Sequence, residues 1–452
     1  MASSFARACR RLRLVRTVVI VAVGLLSWAP LASAQPAVLT WPTYGGNTQR
    51  AGAAANVSLP ASVSLQWQSP QLDGDVYAEP LSANNRAFVA TENDTVYALD
   101  DTSGAVVWST HLAEPVSART LPCGNIDPVG ITSTPVIDPA AGVLYTVAFQ
   151  QPAHHELYAL DLGSGAVRYH QPVDPPGADP LTHLQRAALT ASPGVVYVGF
   201  GGRFGDCGQY HGWVVAANAA DGSTSAVYQV PTQREGAIWA TAGPTVDGDG
   251  NLLVASGNGS SSDAFDFGNA VIKLSPDLKL LDWFAPSDWA TMSARDQDIG
   301  STSPVLLNNG QVFQVGKTGT GYLVQEAAMG NIGGQTFSAP VCGGAYGGVA
   351  YADPYLYVGC RDGLTAVQLQ DGGFSVAWRA LPGFANPAIV VGSTVWTISR
   401  GDGQLYAVSA QDGSVQFQSG PPPAAPPHFA TPGLGQGHIL TVWGRGIAAF
   451  GS

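Results

Sequence analysis

Two aspartates two positions apart, Asp296 and Asp298, lie in a stretch spanning 283–300 that also holds Asp288, Trp289 and Arg295. Carboxylates so placed can take a proton or supply oxygen ligands to a hard cation. Other polar groups of chemical interest fall in three further stretches: Asn125 and Asp127 within 123–131, Arg203, Asp206 and His211 within 201–213, and Glu235 with Trp239 close behind. Lys317 adds a cation in 315–319. A concave site built from them suits a polar small ligand. Asp296 and Asp298 are the candidates for catalysis. Asn125, Asp127, Arg203, Asp206, His211, Glu235, Trp239 and Lys317 are the candidates for binding. The competing use of the same residues is in surface ion pairs and Asx-turns.

Other chemistries find little support. Asp247-Gly248-Asp249-Gly250-Asn251 opens like a calcium loop, but its twelfth position is Asn258 where a bidentate Glu is needed, so a hairpin turn is expected. Gly316-Lys317-Thr318 lacks the upstream glycine of a phosphate loop, since position 311 is Gln311, and Lys317 is expected to be solvated. The eight histidines show no H-x-H or H-x-x-x-H spacing, so no zinc site is expected and His154-His155 reads as an exposed loop pair. There is no G-x-S-x-G elbow and no C-x-x-C-H haem attachment.

The candidates must be positioned by a repeated element. Val96-Tyr97-Ala98-Leu99-Asp100, a turn at Ser103-Gly104, then Val106-Val107-Trp108 reads as strand, turn, strand. Echoes begin at Leu157, Val214, Val271, Tyr322, Leu364, Leu405 and Gly446, giving eight copies. A second element precedes them, as in Thr134-Pro135-Val136-Ile137 followed by Val143-Leu144-Tyr145. Four strands per unit at this spacing is the mark of a propeller blade. The last copy lacks its outgoing strand, and Leu65-Gln66-Trp67-Gln68 near the start is a spare. The fold class expected is therefore all-β: an eight-bladed propeller of four-stranded antiparallel blades, closed by N- and C-terminal strands in one blade. Hairpin starts are 61, 57, 57 and 51 residues apart, then 42, 41 and 41, so the surplus loop length lies in blades 1 to 5. Residues leading into the Pro-containing inner strands should gather at the mouth of the central channel. Trp67, Trp108, Trp283 and Trp378 close equivalent hairpins and are expected to pack between blades.

With these repeats the chain resembles the pyrroloquinoline quinone (PQQ) repeat β-propellers. That family includes quinone-dependent alcohol dehydrogenases and a non-enzymatic lipoprotein that assists outer-membrane protein assembly. For quinone chemistry the resemblance implies PQQ and calcium, with Trp239 as the ring platform, Asn125 and Asp127 as oxygen ligands, and Asp296 or Asp298 as base or ligand. The chain departs from many alcohol-oxidising relatives in having no adjacent Cys-Cys pair. It departs from the lipoprotein in having no cysteine at the cleavage site.

Residues 1–34 read as a cleavable signal peptide, with five arginines, an apolar run from Thr17 to Trp28 and an Ala32-Ser33-Ala34 cleavage site. Residues 35–452 then form one propeller domain, secreted or periplasmic, with no membrane span after cleavage and expected as a monomer. Losing those arginines from 20 basic residues leaves 15 against 32 acids, a balance of −17 that repels nucleic acid. Cys123, Cys207, Cys342 and Cys360 remain and can pair in three ways; Cys123–Cys207 and Cys342–Cys360 are favoured. Two functions compete. The first is a non-catalytic binding or scaffold protein for a small polar ligand or an envelope protein. The alternative is a PQQ-type oxidoreductase on small alcohols or sugars, with an external electron acceptor.

Overall fold

The computed structural model describes residues 39–451 except 58, 60 and 61. The expected signal peptide and its cleavage site lie outside these residues. Eight antiparallel sheets follow one another along the chain: blade 1 runs from Leu81 to His111, blade 2 from Val136 to Pro172, blade 3 from Thr190 to Gln229 and blade 4 from Thr245 to Ala285. Blade 5 spans Val305 to Pro340, blade 6 Ala345 to Ala380 and blade 7 Ile389 to Gln418. Blade 8 takes its three inner strands from Gly433 to Gly451 and its outer strand, Ser64–Gln68, from the other end of the chain. Leu65 pairs with Phe450 and Trp67 with Ala449, which is the closure anticipated from the missing strand.

Alternation explains the packing. In each blade the central strands bury both faces, while the outer strand alternates exposed and covered residues, as in Val106–His111. Neighbouring blades dock through one recurrent contact. The ring of Trp67 lies on Gly104 of blade 1, Trp108 on Gly165 of blade 2, and Trp378 on Gly413 of blade 7; Tyr169 takes the same role on Gly222. Those glycines have φ between +70° and +77°, and a Cβ there would fall 2.4–2.8 Å from the ring, so turn shape and ring contact both require glycine. The Trp67 and Trp378 indoles also donate to the Asp101 and Ala410 carbonyls. Trp283 differs: it stacks on Phe265 at 4.6 Å, within an insertion of its own blade.

The segment 41–54 threads along the inner strands. Trp41 pairs with Ser82 of blade 1, and the carbonyls of Pro42, Thr48, Ala51 and Gly52 accept from Ile137, Val246, Tyr351 and Val390. Arg50, 3 % exposed, donates to the Leu189, Pro244 and Tyr44 carbonyls, so one guanidinium joins blades 3 and 4 to the segment. Along blade 6, Tyr346 lines the mouth, Gly348 meets the Tyr44 ring and Tyr351 bonds Ala51. The segment therefore fills the channel beneath the mouth.

His154-His155 is a correction to the sequence reading. The pair opens the strand His154–Asp161, and His155 is fully buried because Asp174 takes its Nδ1 at 2.7 Å while Phe149 and Phe200 flank the ring.

Candidate functional site

A cavity of about 450 Å³ opens at the mouth. The loop after blade 1 supplies Asn125, and the hairpin loop of blade 3 supplies Arg203 and Asp206. The connectors into blades 4 and 5 supply Trp239, Asp296 and Asp298, and Lys317 comes from the inner hairpin of blade 5. Seven of the ten candidate residues are thus brought together. The Cys123–Cys207 disulfide clasps the loops carrying Asn125 and Asp206, and Cys342–Cys360 is the second disulfide, as favoured from the sequence.

The centre is an ionic cluster in which Asp298 is buried, Lys317 is mostly covered and Asp296 is exposed. Lys317 Nζ lies 2.7 Å from Asp298 Oδ2 and 2.5 Å from Asp296 Oδ1. Its side chain is 16 % exposed, so Lys317 is not the solvated group expected. The Trp239 indole donates to Asp298 Oδ1 at 3.3 Å, and the Lys317 ammonium sits 5.3 Å from the Trp239 ring centroid. Asn258 donates to Asp296 Oδ1 at 2.8 Å. Burial pushes the Asp298 carboxyl up, against the pull of Lys317. Burial would lower the Lys317 ammonium, but Asp298 and Asp296 outweigh it and hold the proton on.

Two guanidiniums face the same space. Arg203 donates to the Leu181 carbonyl at 2.7 Å and lies over the Phe149 ring, and burial lowers it to about 10. Arg186 donates to the Thr132 and His428 carbonyls and lies over Tyr77. Both retain donor nitrogens beyond these bonds. Phe429 and Tyr346, stacked at 5.5 Å, form an aromatic wall with Trp239. Asp206, Asp296 and Phe429 all hold φ between 49° and 66°, and such backbone strain concentrates at ligand clamps.

Asp127, Glu235 and His211 are not lining residues. Asp127 accepts from the Ala118 amide and caps a turn. Glu235 pairs with Arg234, which in turn donates to the Gly208 and Asp206 carbonyls. His211 shares a backbone bridge with Glu235, and its Nδ1 is buried without a partner. Glu235 braces the blade 3 loop through Tyr210 and Gly212, whereas Asp127 braces the loop after blade 1. Arg186, Asn258, Tyr346, His428 and Phe429 line the cavity without having been singled out in the sequence. His428 and Phe429 lead directly into Thr431-Pro432, so the rule that found Trp239 would have found them too.

Among the described residues, the one group of three His, Cys, Asp or Glu donors lying mutually close is Cys342, Cys360 and Asp362, and its two sulfurs are spent in a disulfide. No helix among the described residues is long and apolar enough to cross a membrane.

A family model described as outer membrane protein assembly factor BamB matches residues 57–277. A quinohemoprotein alcohol dehydrogenase from Pseudomonas putida superposes with a TM-score of 0.72 at 14 % identity, covering 91 % of this chain and 80 % of its own. The chain is a PQQ-repeat β-propeller. A europium-containing methanol dehydrogenase matches this propeller with a TM-score of 0.70 at 14 % identity, covering 90 % of each chain. BamB from Moraxella catarrhalis gives 0.58 at 13 %, covering 87 % of the propeller and 99 % of its own chain. These likenesses concern the fold. No curated protein matches the sequence.

The donor set can be tested against quinone and calcium. Calcium needs six to eight oxygens with free lone pairs. Here the oxygens of Asp298 face Lys317 and Trp239, Asp296 Oδ1 faces Lys317 and Asn258, and Asp206 Oδ1 accepts from the Tyr210 hydroxyl. A divalent ion would have to displace the Lys317 ammonium, so the propeller's mouth does not fit a hard cation. Lys317 is spent on Asp296 and Asp298, but the Arg186 and Arg203 guanidiniums bond only backbone carbonyls, and two such cations beside an aromatic wall fit a flat anion.

Proposed function

We propose that the protein is an exported, non-catalytic binding propeller that takes a flat, anionic small molecule at its mouth. The observation that carries this reading is the meeting of Arg186 and Arg203, whose guanidiniums bond only backbone carbonyls, with Trp239, Tyr346 and Phe429 in one cavity, on a chain whose net charge is negative. Burial lowers the local dielectric and strengthens each anion contact. The channel beneath is filled by 41–54, so the ligand enters and leaves by the same opening.

A second reading, a quinone-type oxidoreductase on small alcohols or sugars, is favoured by Asp298. This carboxylate is buried, pushed up in pKa and placed beside both an ammonium and an indole. The structural neighbours described above include an alcohol and a methanol dehydrogenase.

Titrating the purified protein with PQQ, with and without calcium, distinguishes the two. Tryptophan quenching that needs no calcium, with no dye reduction across an alcohol panel, supports the binding protein. Calcium-dependent turnover establishes the oxidoreductase. No quenching with PQQ or with aromatic polycarboxylates overturns both.

A further inference from the structure

We propose that His154, Glu156 and His170 on blade 2 form a site for a borderline divalent transition metal of the copper(II), nickel(II) or zinc(II) class. None of the three lines the mouth cavity. His154 and Glu156 are two apart on one strand and so share a face of the sheet. His170, on the adjacent strand, is paired with Tyr158, which places it diagonally beside Glu156.

The chemistry follows from which nitrogen carries the proton. His154 Nδ1 is held against the Pro152 carbonyl, which only accepts, so Nδ1 keeps its hydrogen. The other nitrogen, Nε2, is then the basic one, and it lies 3.1 Å from Glu156 Oε2. Two electron-rich atoms face each other there. The Gln150 amide donates to both, at 3.0 Å and 2.5 Å, and is itself fixed by the Tyr158 hydroxyl. An imidazole oriented through its far N–H to a backbone carbonyl is the outer-shell arrangement that tunes metal-bound histidines. A separation of 3.1 Å is also the ligand-to-ligand edge expected for nitrogen and oxygen at about 2.1 Å from one ion.

The second imidazole completes the set. His170 Nδ1 lies 2.5 Å from Glu156 Oε1, and its ring stacks on Tyr158 at 5.2 Å. The two histidines address opposite oxygens of one carboxylate, so the three donor atoms are not mutually close as the side chains stand. An ion seated on His154 Nε2 and Glu156 Oε2 therefore recruits His170 by rotation of a side chain that is 57 % exposed. Two imidazoles and one carboxylate select borderline metals over calcium or magnesium. The sequence hid the site because its histidines come from two strands, so no short spacing joins them.

The test uses copper(II) itself as the probe, titrated into the full protein near neutral pH. Expected is one equivalent bound at sub-micromolar affinity, with an electron paramagnetic resonance spectrum showing two imidazole nitrogens. H154A and H170A should each weaken binding at least tenfold and remove one nitrogen coupling. E156Q should weaken it without removing a nitrogen. Circular dichroism and melting curves verify the fold; should H154A misfold, the more exposed H170A carries the same test. An unchanged affinity and spectrum in the H154A/H170A double variant, or no tight equivalent in the parent protein, overturns the proposal. A proton filling the gap in place of a metal gives the latter result.

Discussion

Asp298 and Lys317 are joined twice. The Lys317 backbone N–H donates to the Asp298 carbonyl at 3.0 Å, and its ammonium lies 2.7 Å from Asp298 Oδ2. The first bond fixes the connector into blade 5 against the inner hairpin of that blade. The second places charge at the mouth. One residue pair thus serves both the ring and the site.

Replacing Lys317 by Met leaves the Asp298 carboxylate buried and unpaired. Breaking a buried pair from one side costs about 3–5 kcal/mol. Chemical denaturation should show that loss. The K317M/D298N double variant should recover most of it.

Removing the Cys123–Cys207 bridge tests the rim. The bridge closes 84 residues, and loops of that size lose about 4 kcal/mol of stability on opening. C123S/C207S should melt earlier and lose affinity at the mouth. C342S/C360S, whose bridge spans 18 residues, should lose less stability.

Glu92 predicts a pH effect of known sign. Burial raises its carboxyl from 4.5 to about 7, against the Gly130 amide and Thr132 hydroxyl that donate to it. The folded state then holds more protons than the unfolded state between those two values. This group's contribution is complete below pH 4.5 and is lost as pH rises through 7. Comparing the parent with E92Q isolates it: the parent should lose about 3 kcal/mol relative to the variant between pH 4.5 and 8. Parallel pH curves for the two proteins would contradict this assignment.

Trp67 tests closure. It is 7 % exposed, donates to Asp101 across the seam and covers Gly104. W67A should cost about 3–5 kcal/mol. The same change at Trp283, which packs within its own blade, should leave the seam intact by hydrogen exchange.

The ring was legible in the sequence because each blade repeats a physical demand. A glycine with positive φ beneath an aromatic ring leaves a trace at Gly104, Gly165, Gly222 and Gly413, and the absent partner of Ile447–Gly451 pointed to Leu65–Gln68. The mouth was partly legible. Trp239, Asp296 and Asp298 precede inner strands marked by proline, whereas Arg186 precedes Thr190–Ser192, which has no such mark. The plug at 41–54 has no period, because it bonds through its own carbonyls to several blades in turn. The burial of Lys317 was hidden for a related reason: its partners come from another connector.

The strand that finishes blade 8 is synthesised before blade 1, and the three it completes come after blade 7. A chain emerging from its N-terminus must keep Ser64–Gln68 unpaired until Ile447–Gly451 arrives. The ring therefore cannot be closed blade by blade in order. Its closure waits for Ile447–Gly451, and a chain without that strand leaves an unsatisfied edge ready to find another molecule.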